Sequence, residues 1–184
     1  MTSFRPRSDP AETPRRRVLM DGTHVLLRPI AASDAPRLHA AFHALSPESR
    51  YLRFLGHLSD LSPPMLKYLC EVDGHDHVAY VALRDAPDAP NGEGDLVGVA
   101  RFVRARDEID TAEIAITVAD ELHGQGLGTL LLEALANAAK TRGIARFTAY
   151  THRENRAMRQ VLTHGGPTTL RDDDTVELRL REPF

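Results

Sequence analysis

The run AEIAITVADELHGQGLGTLLLEAL, residues 112–135, decides how the rest of the chain reads. Its first part alternates. Ile114, Ile116 and Val118 point one way and Glu113, Ala115 and Thr117 the other, which predicts a strand over 111–118. Its last part carries leucines at helical spacing. Leu127, Leu131, Leu135 and then Ala138 form one stripe, flanked by Leu130, Leu132 and Ala139, which predicts a helix over about 128–141 that ends at Gly143. Between the two lies His123-Gly124-Gln125-Gly126-Leu127-Gly128. A helix start leaves backbone N–H groups without internal partners and carries partial positive charge, and glycines let an anion come close to the backbone. The loop is therefore a potential phosphate cradle, centred on the amides of Gln125 to Thr129.

Three phosphate ligands compete with a fourth reading, a glycine-rich helix start that holds nothing. A P-loop requires Gly-Lys-Ser/Thr, but Gly128 is followed by Thr129 with no lysine. A dinucleotide fold requires an acidic residue at the end of the next strand, where this chain has Ala149-Tyr150-Thr151. The pyrophosphate of coenzyme A meets no such objection.

Working outward, HVLLRP at His24–Pro29 reads as a strand closed by its proline. Ser33 or Asp34 can cap a helix over 35–45, whose Leu38, Ala41, Phe42 and Leu45 share a face. Short helices follow Ser46 and Ser62, opened by Pro47 and by Pro63 and Pro64. Strands are predicted over 77–84 and 95–105, across the turn-rich loop 85–94. After the central helix come a strand over 145–150, a helix over 155–164, the breaker Gly165-Gly166-Pro167, and two short strands near 168–170 and 175–181. The order is that of an α/β protein with a single mixed sheet of six or seven strands flanked by helices.

Residues 1–20, rich in Pro, Arg, Ser and Thr, are expected to form a disordered arm, with one folded domain over 21–184. Arg15, Arg16 and Arg17 read as solvated charge or, alternatively, as an arm for nucleic acid or an acidic partner. The net charge of -3 gives no footprint for nucleic acid. No stretch reaches the roughly 20 apolar residues that span a bilayer, and the N-terminus lacks a secretory apolar region. A cytoplasmic protein with no membrane or nucleic-acid partner is expected. The single cysteine, Cys70, excludes an internal disulfide and reads as packing rather than a nucleophile. His75 and His77, with Asp73 and Asp76, lack further ligands at metal-site spacing, so no metal is expected.

Residues 112–135 resemble motif A of the GNAT family of N-acetyltransferases, in which a strand with a glutamate leads into Gln/Arg-x-x-Gly-x-Gly/Ala and a helix; the corresponding positions are His123, Gly126 and Gly128. HRENRAMRQVLTHGG, residues 152–166, resembles motif B, with Asn155 at its head. VLLRPIAASDAPRLHAAFHALSPESRYLRFLG, residues 25–56, resembles the bacterial protein-lysine acetyltransferases whose GNAT domain is often joined to a regulatory domain. The resemblance covers about residues 24–181, and the arm before His24 is too short for such a domain.

The resemblance implies a GNAT fold and acetyl-CoA as cosubstrate. It implies a primary amine as acceptor, a protein lysine first and a small amine next, in a monomer or a homodimer. It implies that His123, Gly124, Gln125, Gly126, Leu127, Gly128 and Thr129 hold the pyrophosphate. Backbone of Ile116, Thr117 and Val118 would serve the pantetheine arm and the thioester oxygen, provided the strand splays from its neighbour. Asn155 would bind pantetheine or a water, or simply cap its helix. Glu113 is implied as the general base, with burial expected to raise its carboxyl, unless it is a surface or salt-bridged strand glutamate; Glu71, Asp73 and Glu121 stand next. Tyr51, Arg53 and Phe54 would line an acceptor cleft, unless Tyr51 and Phe54 are core. The sequence departs from the family in three places. His123 stands for Gln or Arg, Pro167 for an aromatic residue, and Leu162 for the tyrosine that protonates the leaving thiolate. Tyr150 is the nearest substitute, although it reads more readily as buried packing. A noncatalytic acyl-CoA-binding module is the rival from another class.

Overall fold

The structure, a computed structural model, describes residues 13–152, 154–172 and 174–180. In chain order its elements are β1 (Arg15–Val18), β2 (His24–Pro29), α1 (Ala35–Ala44), α2 (Pro47–Phe54), α3 (Pro63–Cys70), β3 (His77–Asp85), β4 (Glu93–Arg104), β5 (Thr111–Val118), α4 (Leu127–Lys140), β6 (Arg146–Tyr150), α5 (Arg156–Gly165), β7 (Thr168–Leu170) and β8 (Thr175–Arg179). The strands form one sheet in the order β1-β2-β3-β4-β5-β6-β8-β7. Every neighbouring pair is antiparallel except β5 and β6.

The sheet has eight strands, one more than the sequence predicted. The addition is β1, which corrects the expected disordered arm over Arg15–Val18. It pairs with β2 from Arg15↔Leu27 to Val18↔His24. Its arginines gave no apolar alternation because both faces of this edge strand are largely solvated, and charge is a common edge-strand device. Arg16 pairs with Asp85. The first twelve residues of the arm lie outside the described residues.

Two cores sandwich the sheet. On one face Leu127, Leu131, Leu132 and Leu135 of α4 pack with Phe102, Ile114, Phe147, Leu162 and Leu178. On the other, Leu38 and Phe42 of α1, Leu61 and Cys70 pack with Val81, Leu83, Leu96 and Val99. Strand β3 serves both, with Val78, Tyr80 and Ala82 in the first core and Ala79, Val81 and Leu83 in the second. That is why HVAYVALR is apolar nearly throughout.

The caps act as the sequence implies, with one exception. The Ser46 and Ser62 hydroxyls accept from the N–H groups of Ser49 and Met65, and a proline opens each following helix. Asp34 has no such bond to α1. Its fully buried carboxylate instead accepts from Ala31 N–H at 2.8 Å and from the Arg28 guanidinium at 2.7 and 2.8 Å. Arg28 also donates to both oxygens of Glu93, at 2.7 and 3.0 Å. This clamp ties β2, the start of α1 and β4 together. Among the described residues no helix is long and apolar enough to cross a membrane.

Candidate active site

β5 and β6 are paired only from Thr111↔Arg146 to Glu113↔Thr148. Beyond Glu113 the two parallel strands part, while β5 stays paired with β4 as far as Gly98↔Val118. Residues 114–118 therefore present backbone groups with no strand partner on the β6 side. Into this gap comes the glycine loop. Gly124 and Gly126 have φ of +74° and +88°, the left-handed region that glycine enters freely. Nothing lies within 4 Å of the Cβ that either would carry, so the loop is open above its backbone. The amides of Leu127, Gly128 and Thr129 have no hydrogen-bond acceptor among the described residues; the first backbone bond at the start of α4 is Leu130 N–H to Gly126 C=O, at 3.1 Å.

The strand edge, the loop and the start of α5 enclose a cavity of about 590 Å³. Residues 116–118, 123–129 and Asn155 all line it, so eleven of the twelve site residues singled out in the sequence converge on one space. Gly128 has a second task. A Cβ there would meet Val161 Cγ2 at 2.9 Å, so its bare backbone lets α4 and α5 approach closely. His123 Nε2–H donates to the Val118 carbonyl at 3.1 Å, which ties the loop back to the strand and leaves Nδ1 for a ligand. Asn155 Oδ1 accepts from Met158 N–H at 3.0 Å as the cap of α5, and its NH₂ remains available to the cavity. The two readings of Asn155 are compatible.

Glu113 is the exception. It lines neither this cavity nor the one described below. It is exposed, which corrects the expected burial. The apolar cluster under α1 and α3 is built on β3 and β4, with no residue of β5. Tyr150 is also corrected. It is 56% exposed at the end of β6 and packs in no core. Leu162 is fully buried among apolar side chains. Cys70 is buried, and burial pushes its thiol up despite the charge of Arg101. The Asp73 carboxylate accepts the N–H groups of His75, Asp76 and His77, a local turn that sets the two histidines apart. His75 is exposed beside Asp76, and His77 is buried against Arg101.

A second cavity, about 510 Å³, lies on the other side of β5, between α1 and β4. It is largely apolar, with Leu38, Phe42, Leu96 and Val99 among its walls. Arg53 and Thr117 line both cavities and mark where they meet. Arg53 comes from α2, whose position depends on Asp120. That carboxylate accepts from the backbone N–H and hydroxyl of Ser46 and from the hydroxyl of Ser49. Burial alone would raise the Asp120 carboxyl, but the Ser49 and Ser46 hydrogen bonds hold it below the usual range. Phe54 packs edge-on against Phe42 and is partly core, while Tyr51 is 41% exposed. Sequence reading pointed to Arg53 but had no signal for Ser46, Ser49 or Asp120 as a group, because the two segments are 71 to 74 residues apart.

A strand that parts from its parallel neighbour above a glycine-opened helix start is the frame expected of an acyl-CoA-dependent acyltransferase. The family model described as "Acetyltransferase (GNAT) domain" matches residues 24–168. The chain belongs to the GNAT family of acetyltransferases. It is 35% identical over 156 residues to an acetyltransferase of Pseudomonas aeruginosa, covering 85% of this chain and 81% of that one. It is 34% identical over 152 residues to the acetyltransferase Pat of Mycolicibacterium smegmatis, covering 83% of this chain but only 44% of that longer protein. The crystal structure of the GNAT domain of S. lividans PAT superposes with a TM-score of 0.78 at 30% identity, over 91% of this chain and 97% of that one.

Proposed function

We propose that the chain moves an acetyl group from acetyl-CoA to a primary amine, with a protein lysine as the favoured acceptor and Glu113 as the general base acting through water. The observation that carries this reading is the junction of two cavities at Thr117 and Arg53. One is lined by unpartnered amides suited to a pyrophosphate and a pantetheine arm. The other approaches the same stretch of β5 from the opposite side and can admit a second reactant. The protein-lysine choice rests on the resemblance of residues 25–56.

In this reading the pyrophosphate lies on the amides of residues 126–129, since Gln125 N–H already donates to the Leu122 carbonyl at 3.3 Å, and the pantetheine follows the open edge of 116–118. The acceptor must arrive as a neutral amine, and at pH 7 deprotonating an ordinary lysine costs about 4.6 kcal/mol. The amine nitrogen attacks the thioester carbon, and the C–N bond forms. The carbonyl oxygen gains charge and is met by a backbone N–H of residues 116–118. The C–S bond then breaks and releases the thiolate of coenzyme A. The amine proton passes through water to Glu113. Glu113 shares the sheet face of Thr117 but stands four residues away, roughly 13 Å along the strand, so direct contact with the amine is not required of it. With Leu162 apolar and buried, the thiolate takes its proton from solvent.

The rival, a noncatalytic acyl-CoA-binding module, draws on the same fact that Glu113 lies outside both cavities. Thiol release from acetyl-CoA, followed across a panel of small amines and lysine peptides, separates the two. Binding of acetyl-CoA without thiol release on any acceptor would leave only the binding module.

A further inference from the structure

The cavity between α1 and β4 has an unbalanced charge. Four arginines border it, Arg37, Arg53, Arg84 and Arg101, against two carboxylates, Asp95 and Glu121. Two of the arginines are neutralised. Arg37 lies 3.5 Å from Asp34 and 3.3 Å from Glu93, and Arg84 lies 3.3 Å from Glu121. The other two have no carboxylate within ion-pair distance among the described residues. Arg101 is 5% exposed. Its Nη1 donates to the Leu69 carbonyl and to His77 Nε2, both at 3.1 Å. The donors on Nη2 and Nε have no partner among the described residues. His77 cannot offset this charge. Its Nε2 accepts from Arg101, so the ring is neutral, and burial together with the charge of Arg101 favours that form. Arg53 is partly buried, makes no hydrogen bond to a described residue, and lies with its guanidinium 4.9 Å from the Phe54 ring centroid.

The two cations also act on each other. Burial lowers the Arg101 guanidinium to about 10, and the charge of Arg53 adds to the effect. Burial likewise lowers Arg53, against a pull from Glu113 in the opposite direction. A buried cation without a counter-charge is strongly unfavourable unless something supplies the missing anion. Here both cations border one largely apolar cavity of about 510 Å³, and Arg53 faces the acyl-transfer junction as well.

We infer that this cavity receives a carboxylate, carried on a short apolar stem by one of the two reactants. The stem lies against Leu38, Phe42 and Val99, and the carboxylate reaches the free donors of Arg101 and Arg53, two charge-assisted partners of the kind a carboxylate favours. The inference rests on the acetyl-transfer reading for its account of where the reactants sit. It narrows the substrate class from any primary amine with acetyl-CoA to a pair of reactants in which one carries a carboxylate on an apolar stem.

The test begins with binding, which needs no turnover. Hexanoate and its neutral isostere hexanamide are titrated calorimetrically into the full chain loaded with coenzyme A. Hexanoate is expected to bind at least about tenfold more tightly, and Arg101→Met and Arg53→Gln are each expected to remove that preference. If Arg101→Met does not fold, Arg53→Gln, at a partly exposed site, decides alone. Equal binding of the two probes, or a preference that survives the substitutions, overturns the inference. Two kinetic arms then identify the carrier. A preference for 6-aminohexanoate over its amide assigns the carboxylate to the acceptor, and a preference for succinyl-CoA over acetyl-CoA assigns it to the donor. Turnover with neither preference counts against the inference. Absence of thiol release from any pair counts instead against acetyl transfer, while the hexanoate result stands by itself.

Discussion

The Asp120 carboxylate accepts the backbone N–H of Ser46 at 2.8 Å and the Ser46 hydroxyl at 3.1 Å, across 74 residues of sequence. Asp120 belongs to the turn that leads from β5 into the glycine loop, and Ser46 is the cap of α2. The bond thus joins the glycine-loop side of the site to the helix that carries Arg53.

Asp120→Ala should leave the Ser46 N–H and the Ser49 hydroxyl without their acceptor. A stability loss of about 1–3 kcal/mol is expected in urea unfolding. Acetyl-CoA affinity should fall as well, because Ser49, Leu52 and Arg53 form one wall of its cavity. A loss of stability with unchanged affinity would mean that α2 holds its place without this bond.

Gly126→Asp places a negative charge where the pyrophosphate is expected. Gly126→Asn is the control, with the same shape, no charge and a better tolerance of positive φ. Calorimetry should show acetyl-CoA binding weakened by at least about tenfold in the aspartate variant relative to the asparagine one. Equal affinities in the two folded variants would remove the pyrophosphate from this loop.

Glu113→Gln keeps volume and hydrogen bonding but cannot accept a proton. Turnover at neutral pH should fall by roughly 10²–10⁴-fold. Since Glu113 lines neither cavity, acetyl-CoA affinity should not change, and raising the pH should recover part of the rate as free amine becomes abundant. Full activity in this variant would move the base elsewhere, with Glu121, at the rim of the second cavity, examined first.

Asp34 makes the stability of the fold pH-dependent. Burial alone would raise its carboxyl, but the Arg28 hydrogen bonds, the Ala31 N–H and the charges of Arg28 and Arg37 hold it below the usual range. A carboxyl lowered in the folded state adds stability that is complete above its unfolded value, about 3.9, and is lost as pH falls through the folded value. Urea midpoints should therefore drop on acidification below about pH 4. Asp34→Asn should cost about 3–5 kcal/mol at neutral pH, because it leaves part of the Arg28 charge uncompensated, and should flatten the acid limb. An unchanged acid limb would transfer that dependence to other carboxylates.

These residues differ in how far the sequence discloses them. The strand, glycine loop and helix of 112–135 are legible because their signals are local: alternation, positive-φ glycines and a leucine stripe within one short run. Strand β1 is not, since a solvated edge strand of arginines has no apolar period to detect. The burial of Glu113 and Tyr150 depends on which helices cover which part of the sheet, and periodicity cannot supply that. The cavity around Arg53 and Arg101 depends on the same long-range packing, from α2 and β4, which among the described residues leaves neither arginine within ion-pair distance of a carboxylate.

The bond from Met20 N–H to the Gln125 carbonyl, at 3.2 Å, has a practical consequence for anyone trimming this protein. Val18, Leu19 and Met20 line the cavity proposed for the coenzyme, and Val18 and Met20 are 59% and 77% exposed. A cut at residue 21, the natural choice for removing an arginine-rich tail, would take away one wall of the ligand site and a neighbour of the glycine loop. Such a shortened protein would be expected to lose coenzyme affinity while its two cores, which take only Leu19 from this segment, remain nearly whole.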